Sequence, residues 1–294
     1  MKKNLFFFLF FTYNLFSQNS GIQFLKFNLD ARTNAMGNVS TAIGSTSINA
    51  NSNPALLSND KNDIVEFAYK NSLIDTKTST IATKTNWNNF SFGILFNSTT
   101  ISEIEIREIA GNLQGTFDAK YVLGNFMISY LFENNFSFGI SNKIVYEKIF
   151  VDDATGFAFD FGVLKNFENF SIGISLNNFG RMNSLKNKST EFPKFTKVGI
   201  LIPYEISKNF KTNFSIDEMF LLKEKNLYLH SGIEVLYNDI IAFRTGFQNG
   251  YEVQKHFSFG CGVNYQNIVF NYAFIQNNFG FDNENAISIT YIFQ

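Results

Sequence analysis

Phe90, Phe92, Ile94 and Phe96 alternate with Ser91, Gly93, Leu95 and Asn97. Along an extended strand successive side chains point to opposite faces, so this stretch has one large apolar face and one that is mostly small or polar. The same alternation sets Phe136, Phe138 and Ile140 against Ser137, Gly139 and Ser141, and Phe157, Phe159, Phe161 and Val163 against Ala158, Asp160 and Gly162. It also sets Phe170, Ile172, Ile174 and Leu176 against Ser171, Gly173 and Ser175. A near-repeat underlies it: NNFSFGI at 88–94 and 134–140, ENFSIGI at 168–174 and KHFSFGC at 255–261.

Read through the chain, the alternation predicts fourteen strands, at 62–70, 77–86, 90–109, 119–132, 136–149, 154–164, 170–178, 194–206, 209–217, 226–237, 240–247, 255–265, 268–276 and 285–294. Short turns fall near 87–89, 133–135, 165–169, 207–208, 238–239 and 266–267. Longer connections are expected near 71–76, 110–118, 150–153, 179–193, 218–225, 248–254 and 277–284. An even strand number, with short turns at one end and longer loops at the other, is the asymmetry of an outer-membrane barrel. The third strand is long and is expected to contain a bulge or to project beyond the membrane. The fold class is therefore all-β: a fourteen-stranded antiparallel transmembrane β-barrel preceded by a short N-terminal hatch or plug.

Aromatic positions agree. Trp87, Tyr130, Phe132, Phe136, Phe170, Tyr204, Phe210, Tyr237 and Tyr265 flank the short turns, where an interfacial girdle belongs. Three copies of the repeat start at a short turn, so the first Phe lies near the periplasmic interface and Ser and Gly face the lumen. KHFSFGC follows a long loop, and its strand runs the other way. Ile287, Ile289, Tyr291 and Phe293 share a face of the last strand, which looks like the assembly signal of an outer-membrane barrel.

Composition sharpens this picture. Phe is the unusual residue, 38 against 12 Tyr and one Trp in 294 residues. Hydrophobic residues are 45% of the chain, yet mean hydropathy is −0.05, because polar neighbours dilute them. A net charge of −1 gives no electrostatic footprint for nucleic acid. Lys2 and Lys3 followed by the apolar run Leu5–Phe11 read as a signal peptide over 1–17, with Leu15-Phe16-Ser17 before the cleavage point. No Cys lies near that point to take a lipid anchor, and the only Cys, Cys261, has no internal disulfide partner.

Residues 21–61 lack the alternation and fit either a disordered leader or a plug in the barrel mouth; the hatch is assigned to 18–61 and the barrel to 62–294. A fourteen-stranded lumen is too wide for its own side chains to fill, so a plug has a physical reason to exist. Phe24-Leu25-Lys26, Asp30-Ala31-Arg32, Ala35-Met36-Gly37, Ala42 and Asn53-Pro54-Ala55 resemble the N-terminal pattern of the PorV/PorQ family, which is related to FadL-type barrels. Asn53-Pro54-Ala55 also resembles the hatch of FadL-type transporters. The resemblance implies a bacterial outer-membrane location and protein–protein contacts with type IX secretion translocon or attachment-complex proteins and their cargo. The FadL side of it implies passage of a hydrophobic ligand instead.

Each motif residue has a packing role to offer. Asn53 caps or bonds buried backbone, Pro54 fixes φ, Ala55 permits close approach, and Arg32 pairs with a lumen carboxylate such as Asp160 or Glu234. His230 shares the inward face of Glu234, and His256 that of Ser258 and Gly260, so Asp160, His230, Glu234 and His256 are candidate lumen polar residues. No nucleophile elbow, phosphate loop or useful metal-ligand spacing stands in the sequence, so neither an enzyme nor a cofactor is expected. The loop 179–193, with Arg181, Lys186, Lys188 and Glu191, reads as a solvated external loop or a docking surface.

Two readings follow: a non-enzymatic barrel of the PorV/PorQ type acting in type IX secretion or cargo attachment, and a FadL-like transporter of hydrophobic small molecules. The predicted lumen residues are largely Gly, Ser, Asn and Thr, which leans toward the first. The second needs an apolar pocket linked to a lateral or axial opening, whereas the first needs an exposed loop surface and can keep its lumen shut.

Overall fold

The structure is a computed structural model and describes residues 21–73, 75–107, 111–185, 188–249, 254–277 and 282–293. The signal peptide expected at 1–17 and residues 18–20 of the expected hatch lie outside the described residues. The strands are β1 (Ile64–Ser72), β2 (Thr76–Trp87), β3 (Phe90–Ile106), β4 (Gly115–Phe132), β5 (Phe136–Ile149), β6 (Asp152–Asn166), β7 (Ser171–Met182), β8 (Ser184–Leu185), β9 (Lys188–Ser189) and β10 (Phe195–Ser207). They continue with β11 (Phe210–Leu221), β12 (Leu227–Tyr237), β13 (Ile241–Asn249), β14 (Gln254–Tyr265), β15 (Ile268–Asn277) and β16 (Glu284–Ile292).

Fourteen of them pair in chain order, β7 being followed by β10, and β1 pairs with β16 to close the barrel. Closure runs antiparallel from Ile64 opposite Ile292 to Asn71 opposite Asn285, so no long edge is left open. β8 and β9 form a separate two-stranded ladder in the connection between β7 and β10. The long third strand contains the expected irregularity: its register with β4 shifts between Ile101 and Ile104.

Turn chemistry explains several boundaries. Asn88, Asn134, Asn135, Asn238 and Asp239 take positive φ at the short-turn end, a conformation that Asn and Asp tolerate better than most residues. Two connections expected to be long are tight instead. β5 and β6 are separated only by Phe150 and Val151, with Phe150 at φ 56, and β1 and β2 only by residues 73–75. The alternation of β6 starts at Asp152, which the polar pair Asp152-Asp153 disguises as loop. β7 runs on to Met182, past its expected end, through an irregularity opposite β6 between Phe159 and Phe161.

The outer face is apolar. Trp87 is 66% exposed and Phe243 62%, so nothing among the described residues covers them. Tyr130 stacks edge-on against Phe90 and Phe132, and Phe210 sits against Tyr237, forming the aromatic rim at the short turns. Among the described residues no helix is long and apolar enough to cross a membrane; the apolar surface belongs to the strands.

Inside lies the N-terminal segment, which is almost wholly buried. It comprises a 3-10 turn at Gln23–Lys26, helix α1 (Ala31–Ala35), helix α2 (Ser47–Ala50) and a second 3-10 turn at Pro54–Asn59. α1 lies against β13–β16, α2 against β2 and β3, and the second turn against β3–β6.

Candidate functional site

The candidate site is the interface between the hatch and the lumen wall. Short polar side chains start its helices. Asp30 caps α1 by accepting from Thr33 N at 3.2 Å, and Thr46 caps α2 by accepting from Asn49 N at 3.3 Å. Asp30 does more than cap: Asn49 Nδ2 donates to it at 3.0 Å, and Ser288 Oγ on β16 donates at 3.0 Å. One carboxylate thus ties α1 to α2 and to the wall. Ala31 and Ala35, both fully buried, pack on Ala273, Ile275 and Ala286.

Two charged clusters fix the hatch on its β10–β13 side. Arg32 makes a forked contact with Glu234, Nε to Oε2 at 2.9 Å and Nη2 to Oε1 at 2.6 Å. Arg244 Nε donates to the same carboxylate at 2.6 Å, and Asn213 Nδ2 at 2.9 Å. Asp217 accepts from Ser40 N at 2.6 Å, Thr41 N at 2.9 Å and Thr41 Oγ1 at 2.6 Å, while Lys197 Nζ reaches Ser40 Oγ at 2.9 Å. A buried charge must be paired and hydrogen-bonded, and here hatch backbone supplies part of the pairing.

Asp160, the other carboxylate named for Arg32, belongs elsewhere. It lies 2.8 Å from Lys143 and accepts from Asn178 N at 2.7 Å. Lys143 in turn reaches Asn51 O of the hatch at 3.4 Å. His230 is buried and inward, opposite Asp217 on β11 and Gln248 on β13. The side chain of His256 lies outside the described residues, as do those of Lys186 and Lys188.

Asn53, Pro54 and Ala55 sit where the hatch meets the wall most closely. Asn53 Oδ1 accepts from Ala55 N at 3.1 Å, and its Nδ2 donates to Thr41 O at 2.7 Å and to Val163 O at 3.2 Å. The glycines of the repeat make room for this. A Cβ on Gly139 would collide with the backbone of Pro54 and Ala55, and one on Gly173 with the Thr41 carbonyl. Met36 is fully buried, and Gly37 has φ 70, with the place of its missing Cβ 2.7 Å from Phe247 N. Gly37 N also donates to Ser258 Oγ at 3.0 Å. The repeated Gly is therefore the point at which the hatch leans on each strand.

Gly, Ser, Asn and Thr line much of the lumen, as expected, but charged side chains not named from the sequence stand among them. Lys70, Lys84, Lys143, Lys197, Glu66 and Asp217 are buried and point inward. Lys70 pairs with Glu284 at 2.9 Å, Lys84 with Asp60 at 2.6 Å, and Glu66 accepts from Ile48 N at 3.1 Å. Inward parity on β1, β2, β5, β10 and β11 is the signal that would have found them.

An apolar cluster fills part of the lumen under β3–β7, beside polar groups such as Lys143 and Asp160. Ile22, Leu25 and Leu29 of the hatch bury against Leu95, Leu123 and Val145, and the same cluster holds Met182 and Phe192. Burial pulls the Lys26 ammonium below the ordinary lysine range, and Glu224, 3.6 Å away, pulls the other way. β7 and β10 pair from Asn177 opposite Phe195 to Ser171 opposite Leu201, so among the described residues the upper part of β7 has no ladder partner on that side. The connection between them turns inward, where Thr190 Oγ1 donates to Glu147 at 2.9 Å. The notch it leaves is a cavity of about 440 Å³ lined by Gly180, Arg181, Phe192, Lys194, Leu222 and Lys223. A second cavity, about 220 Å³ and polar, lies between the hatch and the short-turn ends of the strands, with Arg32, Asp60, Glu66, Glu234 and Asn271 in its lining.

No family model matches the sequence, and no curated protein is similar to it at a significant level. Solved structures are similar in fold. The Pseudomonas putida toluene transporter TodX matches with a TM-score of 0.66 at 12% identity, over 90% of this chain and 98% of that one. The monoaromatic hydrocarbon channel CymD matches with 0.65 at 13%, over 91% and 99%. A Pseudomonas aeruginosa FadL homologue matches with 0.54 at 10%, over 90% and 98%. At these identities the likeness carries the fold: a closed fourteen-stranded barrel like those of FadL-type transporters. The PorV/PorQ resemblance has the motif residues alone behind it.

Proposed function

We propose that the chain is an outer-membrane barrel that passes hydrophobic small molecules inward, with residues 21–61 as the hatch on the path. The carrying observation is Phe192. It belongs to the apolar cluster inside the lumen and also lines the notch at the β7–β10 rim. An apolar cluster that reaches a notch in the wall is a start a conduit can use, and it favours passage over protein docking. The likeness to hydrocarbon channels supports the same reading. Passage requires Ile22, Leu25 and Leu29 to leave the apolar cluster they now fill. The polar cavity beyond Arg32 is then the side from which the molecule departs toward water.

The test is uptake of radiolabelled toluene by Gram-negative cells expressing the chain, its Phe192→Asp variant or an empty vector. Faster uptake with the wild type than with either control is the expected result. Uptake at the vector level, together with recovery of secretion or attachment proteins on affinity purification from native membranes, replaces this reading with the type IX one.

A further inference from the structure

Lys120 on β4 and Lys148 on β5 stand directly opposite each other in the sheet register, both exposed on the outer face. Lys77 continues the row two strands away, through Thr100 on β3. Opposed like charges destabilise a strand pair, with Cβ atoms only about 5 Å apart. The one acid in the row is Asp153, opposite Lys148 on β6. Asp118, nearer the loops, accepts from Glu103 N at 3.3 Å. Among the described residues none of the three lysines is in an ion pair. Three lysines and one aspartate leave the row at a net +2.

Its height is set by the strands. Lys77 and Trp87, Lys120 and Tyr130, and Lys148 and Phe138 are each ten residues apart on their own strand. Ten residues at about 3.3 Å each, tilted by about 40°, rise about 25 Å, the height of a barrel's apolar band. The aromatic rim marks one boundary of that band, so the lysines mark the other, at the long-loop end. Below the lysine pair the outer face is largely apolar: Val122 beside Tyr146, then Gly124 beside Ile144, then the exposed Phe126 beside Asn142. Nothing lies within 4 Å of where a Cβ on Gly124 would stand, which leaves a shallow groove under the lysines.

Resting on the outer-membrane reading above, we propose that Lys120, Lys148 and Lys77 hold the phosphate head of a lipid of the leaflet at the long-loop rim, one acyl chain lying in the groove at Gly124. A phosphate between Lys120 and Lys148 turns their repulsion into attraction, and the apolar groove selects a lipid over a free anion. Each lysine at a membrane surface contributes an attraction to anionic lipid large enough to change binding several-fold.

The test is native mass spectrometry of the detergent-purified full chain titrated with dioleoylphosphatidic acid, dioleoylphosphatidylcholine or inorganic phosphate. The wild type retains phosphatidic acid over phosphatidylcholine. Lys120→Gln/Lys148→Gln lowers that retention about tenfold or more, and Lys120→Arg/Lys148→Arg preserves it. Lys211→Gln, at the opposite rim, leaves it unchanged. Gly124→Leu, which fills the groove and leaves the lysines in place, lowers it independently, so a poorly folding lysine variant does not decide the matter. Equal retention of the two lipids, or displacement of lipid by inorganic phosphate at comparable concentration, overturns the proposal. A chain that stays folded and monomeric without detergent overturns the membrane reading itself, a different result from a detergent-bound barrel that shows no lipid preference.

Discussion

Arg32 and Glu234 are 202 positions apart in sequence, yet they meet inside the barrel through a two-pronged contact, one guanidinium against one carboxylate. The pair joins the first helix of the hatch to β12 near its short-turn end. Glu234 keeps Arg244 and Asn213 if Arg32 is removed, so the carboxylate is not stranded. Arg32→Ala is therefore expected to loosen the hatch and not to unfold the barrel, costing about 1.5–3 kcal/mol of hatch docking. Limited proteolysis in detergent, read by mass spectrometry, should show cleavage within residues 21–61 while the strands stay intact. Equal protection in variant and wild type would show that the contact does not hold the hatch.

Asp217 makes the opposite case, a wall carboxylate receiving three bonds from two adjacent hatch residues, Ser40 and Thr41. Asp217→Asn keeps the shape but exchanges a charged acceptor for a neutral one. Charge-assisted bonds are about twice as strong as neutral ones, so the backbone amides of Ser40 and Thr41 should open more often. Hydrogen exchange at those amides is expected to quicken by tenfold or more, with β11 itself unchanged. Exchange that quickens across the whole barrel would point to a folding defect and not to the hatch.

Glycines separate space from conformation. Gly139 faces the hatch at Pro54 and Ala55, whereas Gly124, on the neighbouring strand, faces outward with open space where its Cβ would go. Gly139→Ala forces the hatch away and should destabilise by about 1–3 kcal/mol, as overpacking does. Gly124→Ala should be close to neutral. Thermal unfolding of both variants in the same detergent compares them directly, and similar shifts would mean that the hatch yields freely to a methyl group.

The barrel was legible because alternation of Phe and Ile with Ser and Gly repeats on strand after strand, and a period of two has few other meanings. The carboxylate at Glu234 could be named for Arg32 because both were expected to face inward. The rest of the lumen was harder. Lys84 and Lys197 sit at inward positions, but each looks like an ordinary solvated lysine until the hatch supplies its partners: Ser45 O for Lys84 and Ser40 Oγ for Lys197. Those partners lie in a segment with no period, whose path only three-dimensional packing determines. Phe192 was hidden for a related reason: it lies in a polar loop, and its inward turn depends on Thr190 reaching Glu147 on a distant strand.

The hatch can be locked to test whether it lies on the path. Ser58 of the hatch and Ser129 of β4 are buried with their hydroxyl oxygens 2.8 Å apart. Cysteines in both places lie within reach of a disulfide, whose sulfurs sit about 2.05 Å apart. Cys261 is exposed on the outer face and should be replaced by Ala first, so that the engineered thiols are alone. Under oxidation the Ser58→Cys/Ser129→Cys protein is expected to lose toluene uptake down to the vector level. Reduction should restore it to the rate of the Cys261→Ala parent, because the bond is reversible and the fold is untouched. The lock acts at the second 3-10 turn, far along the chain from Ile22 and Leu25, so a loss of uptake would mean that the hatch moves as a unit. Unchanged uptake with the bond formed would confine the motion to residues 21–29, and the apolar cluster they fill would then be the whole gate.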